Sequence, residues 1–227
     1  MSSTTPPPPP SSLTERRKAE TRMEIARAAA GLFLRHGLRA TRAEDIAQAA
    51  GIAPRTFYRY FATKEEAVAP LYAAGAQRWV EAVRAAPAGT GVLRALEQAV
   101  RLTLTPGLGD SASSWEWVRT LLRLAEANPS LRRVWAEVCQ TSERLLGEVL
   151  TELVTRAGAS GAPARPDDSD NVAAGPRARF AAAVASAAVR TALEAWAEGD
   201  GPVEGPDGPA ELALRNLAAL RDFPWEA

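Results

Sequence analysis

The residues best placed to do chemistry lie in one short segment, and that chemistry is hydrogen bonding to a polyanion rather than bond making. Pro54, Arg55, Thr56, Phe57, Tyr58, Arg59, Tyr60 and Phe61 run together. At about 100° per helical residue, Phe57 and Phe61, four apart, define one apolar side. Arg55 and Arg59 then project almost opposite, with Thr56, Tyr58 and Tyr60 on the flanks. An outward arginine that enters a major groove can bond guanine O6 and N7 together. Flanking hydroxyls and phenols can reach phosphates, which position a protein without specifying sequence. Thr63 is a capping residue for a further helix, and Lys64 beside it offers a cation to a phosphate. The competing reading of these residues is an amphipathic helix pair whose aromatics serve only as core.

The preceding residues supply what such a helix needs to be held. Ile46 and Ala50 are spaced to face inward on a short helix, and Ala47 is small, as required where two helices cross closely. Gly51 falls at the turn, where a positive φ costs a glycine little. Ile52 pins the turn, and Pro54 suits the first turn of the next helix. Residues 42–61 therefore have the form of a helix-turn-helix. Ahead of them, Ser12 and Glu15 predict a capping box. Ile25, Ala29, Leu32, Phe33 and His36 follow at helical spacing, and Gly37 predicts the stop.

The rest of the 227 residues reads as helix after helix. Thr63 and Glu66 form a second capping box, opening a helix to about Arg84. Further helices are predicted near 93–104, 115–125 and 131–156, broken by Pro106-Gly107 and Asn128-Pro129. Residues 158–176 are rich in Gly, Ala, Pro and Asp and predict a loop, with helices at 177–198 and 209–221 beyond it. Residues 1–12, with prolines at 6–10, predict a disordered, Pro-rich tail. No stretch alternates with period two, so the expected fold class is all-α with about nine helices. The expected domains are the tail 1–12, a three-helix head 13–66 and a larger helical domain 67–227.

Composition sharpens the division. Residues 15–65 hold 11 Lys and Arg against 6 Asp and Glu, which leaves 16 basic and 21 acidic residues elsewhere, so a net charge of zero hides a head of +5 on a body of −5. That asymmetry suits a polyanion-binding head. No run approaches the roughly 18 apolar residues of a membrane helix, and the N-terminus lacks the pattern of a secretory signal. The expected location is the cytoplasm, with no membrane partner. The larger domain shows no phosphate loop and no nucleophile elbow. With one histidine, His36, and one cysteine, Cys139, metal centres and histidine triads are not expected. The chain is thus read as a non-enzyme without a cofactor.

Taken together, the motifs resemble the N-terminal domain of the TetR family. The likeness rests on Leu32-Phe33 with Gly37, on the run from Asp45 to Ile52, and on the run from Thr56 to Glu65. It covers about a quarter of the chain. It implies a DNA-binding transcriptional regulator in which Pro54, Arg55, Thr56, Tyr58, Tyr60 and Lys64 contact a palindromic operator in double-stranded DNA. One position departs from the family, which usually has a threonine where this chain has Arg42. Thr41 with Glu44 then offers a shifted capping box, and Arg42 remains a candidate phosphate contact.

For the larger domain the resemblance implies a small hydrophobic ligand and a homodimer. Residues 128–150 faintly resemble a branch with acyl-CoA-like ligands. Trp117, Arg119, Trp135 and Arg190 are the candidate pocket residues, since tryptophans line apolar pockets and an arginine can bind an acidic group. The helices at 177–198 and 209–221 are the expected dimer contacts, through Val184, Val189, Leu193, Leu212 and Leu217. The implied activity is repression relieved by ligand. The alternatives are an activator, a constitutive repressor, and a small-molecule binder or enzyme with a vestigial head.

Overall fold

The computed structural model describes residues 12–107, 112–159 and 168–225. They form nine α-helices and a short 3-10 turn, with no strand among the described residues, as the sequence predicts. The helices are α1 (Leu13–His36), α2 (Ala43–Ala49), α3 (Pro54–Tyr60), α4 (Ala69–Arg84), α5 (Val92–Leu104), α6 (Ala112–Ala127), α7 (Pro129–Ala159), α8 (Asp168–Glu198) and α9 (Pro209–Ala218), and the 3-10 turn Glu66–Val68 precedes α4. The chain divides into two compact units between Leu71 and Tyr72. The Pro-rich tail, apart from Ser12, lies outside the described residues. No described helix is long and apolar enough to cross a membrane.

In the first unit the apolar periodicity of α1 becomes the core. Ile25, Ala26, Ala29, Ala30 and Phe33 are buried, as are Ile46, Ala47, Phe57, Phe61 and Val68, and α1 packs against α2 and the 3-10 turn. Ser12 caps α1, its hydroxyl accepting from the Glu15 N–H at 3.2 Å. Gly37 ends the helix, its N–H bonding the Phe33 carbonyl.

The second unit is built on the long pair α7 and α8, with α6 against both, α9 against α8, and α5 against α7 and α9. Ala178, Ala181, Ala182, Ala185 and Ala188 recur at helical spacing on α8, and all are buried. They allow α7 to approach closely. At Gly147 of α7 a Cβ would stand only 3.4 Å from Arg179 Cγ.

Two sequence expectations need correction here. First, α8 begins at Asp168 and passes through Pro176, so residues 168–176 are helix rather than loop. Pro176 is exposed, and on a solvent-facing surface water can serve the carbonyl that loses its donor. Second, Val189 and Leu217 belong to this chain's own core, at 6% and 0% exposure, and are not free for a partner. The alanine face of α8 is likewise used internally. The outward side of α8 is instead marked by the exposed Phe180 and Thr191, with Val184 and Ala187 half-buried between them. Phe180 is 63% exposed and touches only the edge of the fold, its ring 5.5 Å from that of Phe223.

Candidate nucleic-acid interface

The turn between α2 and α3 is fixed by local hydrogen bonds. The Ile52 N–H bonds the Ala47 carbonyl (2.9 Å) and the Gly51 N–H bonds the Gln48 carbonyl (3.1 Å). This is a Schellman arrangement, and it requires the positive φ of 67° that Gly51 adopts. Ala53 and Pro54 then start α3 in a fixed direction.

The buried side of α3 is Phe57, fully buried, with Phe61 at 3% exposure. Their rings sit 5.8 Å apart. Pro54, Arg55, Tyr58 and Arg59 are exposed, and Thr56 and Tyr60 are half-buried at the sides. Arg55 has no hydrogen-bond or ionic partner among the described residues, so its guanidinium is available. The Tyr58 hydroxyl stands 3.5 Å from a Glu44 carboxylate oxygen of α2. The Arg59 guanidinium lies 5.6 Å from the Tyr60 ring.

Sequence reasoning missed Arg22. Its guanidinium covers the Phe61 ring at 4.8 Å and donates to the Tyr60 carbonyl at 3.3 Å, so α1 holds the C-terminal end of α3. The available signal was its spacing. Arg22 precedes Ile25 and Ala26 by three and four residues, which places it beside the buried face of α1.

Arg42 is exposed at the N-cap of α2. An arginine side chain has no acceptor to offer a helix N-terminus. Half of a capping box survives: the Asp45 carboxylate accepts from the Arg42 N–H at 2.8 Å. The box expected from Thr41 and Glu44 does not form. Thr41 is buried, and its hydroxyl donates back to the Gly37 carbonyl at 2.9 Å.

Lys64 is placed differently from its neighbours. Its ammonium donates to the Leu38 carbonyl at 2.7 Å and the Thr41 carbonyl at 2.8 Å, tying the loop before α2 to the segment after α3. Only its third N–H remains for a phosphate. Lys64→Met is therefore expected to lower the stability of the head by about 1–3 kcal/mol, since hydrogen bonds from a charged donor are lost inside a half-buried site. The check is a thermal melt beside a salt titration of DNA affinity. A pure phosphate contact would leave the melt unchanged and flatten only the salt slope.

In the second unit the four candidate pocket residues separate. Trp135 and Arg190 come together on Glu194. The indole N–H donates to its carboxylate at 2.8 Å, and Arg190 pairs with it at 3.1 Å. Tyr72 stacks edge-on against Trp135 at 5.2 Å and donates to the Leu121 carbonyl. Burial, aided by the nearby Cys139, holds the Tyr72 phenol far above its usual range. Burial also pushes the Cys139 thiol up to about 12, although Arg190 acts the other way. Trp117 stands 38% exposed on α6, apart from this group. Arg119 is buried on another side of α6, against Trp196 of α8.

The chain is similar to several known proteins. Residues 25–69 match the family of bacterial regulatory proteins called tetR. Over 226 residues the chain is 30% identical to the HTH-type transcriptional regulator TcmR of Streptomyces glaucescens, covering 98% of this chain and 94% of that protein. The fold is similar to that of NalD, the secondary repressor of the MexAB-OprM multidrug efflux pump in Pseudomonas aeruginosa, with a TM-score of 0.53, 22% identity, and 91% and 99% of the two chains covered. It is also similar to that of FadR from Thermus thermophilus, solved with lauroyl-CoA, with a TM-score of 0.50, 24% identity, and 88% and 92% covered.

Proposed function

Since this chain belongs to the TetR family of DNA-binding transcriptional regulators, we propose that it is a cytoplasmic, non-enzymatic repressor released from a palindromic operator by a small hydrophobic effector. The observation that carries the DNA-reading part is Arg55. It is exposed, without a partner among the described residues, on a helix whose other side is locked by Phe57 and Phe61. Arg55 enters the major groove and reads a base. Pro54, Thr56, Tyr58 and Tyr60 position the helix against the groove walls, with Arg42 and the remaining N–H of Lys64 on phosphates.

One such helix reads few base pairs, so two heads related by a twofold axis are needed, spaced by roughly 34–36 Å or a multiple of it. The outward side of α8, from Phe180 to Thr191, with Leu212 of α9, supplies the self-complementary surface. The effector binds in the second unit and favours a conformation with the wrong spacing. By linkage, effector and operator then weaken each other equally.

Footprinting on the DNA flanking its own gene, with and without cell extract, tests the whole reading. A protected palindrome that extract abolishes is the expected outcome, and no protection at low salt would refute it. On that operator Arg55→Ala is expected to cost about 1–3 kcal/mol and to relax preference at one base pair. An equal loss on every sequence would reduce Arg55 to a phosphate contact.

A further inference from the structure

A buried cation is normally paired, because desolvating it alone is expensive. Arg119 is only weakly paired. It is 8% exposed, and its guanidinium lies 4.2 Å above the Trp196 ring. One N–H donates to the Gly201 carbonyl in the loop after α8. The nearest carboxylate, Glu116, is 3.9 Å away and mostly exposed. The other acid close by, Asp200, is held by Arg123 at 2.7 Å, which keeps its carboxyl below the usual range. Arg119 Nε has no hydrogen-bond partner among the described residues.

A second donor lacks a partner on the same side of α6. Trp115, one turn earlier, is 5% exposed and packs edge-on against the same Trp196 ring at 5.7 Å. Its indole Nε1 is also unpartnered. Among the described residues, four buried side-chain N or O atoms lack a hydrogen bond, and two of them are this pair. Both are donors, and neither can accept. Each lost bond costs about 1–3 kcal/mol, so the arrangement is suited to something that brings acceptors and negative charge.

We propose that this face of α6, backed by Trp196, is where the effector's acidic group binds, and that the group is a carboxylate on an apolar body. One carboxylate oxygen accepts from Arg119 Nε and the other from Trp115 Nε1. Trp115 and Trp196 belong to the apolar core of the unit, which a charged ligand without an apolar body would not enter. This proposal rests on the effector-responsive reading above and narrows it: Arg190 is held by Glu194 at 3.1 Å, whereas Arg119 has only a long ion pair of 3.9 Å to the exposed Glu116.

The test uses the full chain and four proteins: wild type, Arg119→Met, Trp115→Phe and Arg190→Met. Thermal melts are taken in sodium benzoate, 2-naphthoate and decanoate, each against its neutral amide. The expected result is that at least one carboxylate raises the wild-type Tm by about 3–6 °C at roughly ten times its Kd. Its amide does not, Arg119→Met abolishes the rise, Trp115→Phe reduces it, and Arg190→Met keeps it. Without ligand, Arg119→Met is expected to melt somewhat lower than wild type, since it loses the bond to the Gly201 carbonyl, so each protein's shift is read against its own ligand-free melt. No carboxylate shift in wild type, or an equal shift in Arg119→Met, overturns the proposal and leaves Arg119 as a clasp on the Gly201 carbonyl. Operator footprints separate the two ideas. A carboxylate that binds through Arg119 but leaves the footprint intact keeps the site and refutes ligand release. An extract that still releases Arg119→Met from DNA keeps ligand release and refutes the site.

Discussion

Phe180→Asp is expected to turn a dimer into a monomer at micromolar concentration and to weaken operator binding at least about a hundredfold. Phe180 is 63% exposed on α8, so an aspartate there removes little from the fold of a single chain. In a twofold interface the same residue acts twice. Burying most of a phenylalanine is worth about 1.5–3 kcal/mol, so the pair contributes roughly 3 kcal/mol or more before the cost of burying two carboxylates. Losing the dimer also loses the second head, and with it the gain from binding both half-sites at once. Sedimentation or light scattering gives the assembly state, and circular dichroism shows that the helices persist. A dimer that survives Phe180→Asp with unchanged affinity would place the interface elsewhere. Val189→Asp would be a misleading control, because Val189 is 6% exposed inside the chain's own core and its substitution unfolds the unit.

Phe57→Ala is expected to abolish operator binding by a different route. Phe57 has no exposed surface, and its ring meets those of Tyr58 at 5.5 Å and Phe61 at 5.8 Å. Truncating such a phenylalanine costs about 3–5 kcal/mol. At roughly 0.05–0.15 kcal/mol per residue, a unit the size of this head holds only about 3–9 kcal/mol in total. The head should therefore melt early, as a separate transition, while the second unit keeps its helices and its dimer. A two-step melt by circular dichroism, with DNA binding lost above the first step, is the expected record. A single unshifted transition, or affinity within tenfold of wild type, would show that α3 does not depend on this ring. Arg55→Ala provides the contrast: it should weaken binding without moving either transition.

Much of the head was legible because its signals are local. Gly51 and Ile52 announce the turn within two residues, since the hydrogen bonds that fix it reach back only to Gln48 and Ala47. Ser12 with Glu15, and the spacing of Phe57 and Phe61, are likewise decided within one helical turn. The same local rules misled at Pro176. A proline signals a break when only its neighbours are considered, yet α8 runs through it, because the alanines beyond it pack along α7 and hold the helix.

The sequence by itself determined the helical class, the helix-turn-helix and the face of α3 that points away from the core. These follow from periodicity, capping and turn chemistry within a few residues. Only the tertiary structure decided which polar atoms are already engaged. Lys64 bonds carbonyls 23 and 26 residues away, Trp135 and Arg190 meet on Glu194, and Arg119 reaches the loop beyond α8 yet keeps an unpartnered Nε. The reason is physical. A helix's own pattern sets where a side chain points, but whether its donors and charge are satisfied depends on segments far along the chain that only folding brings near.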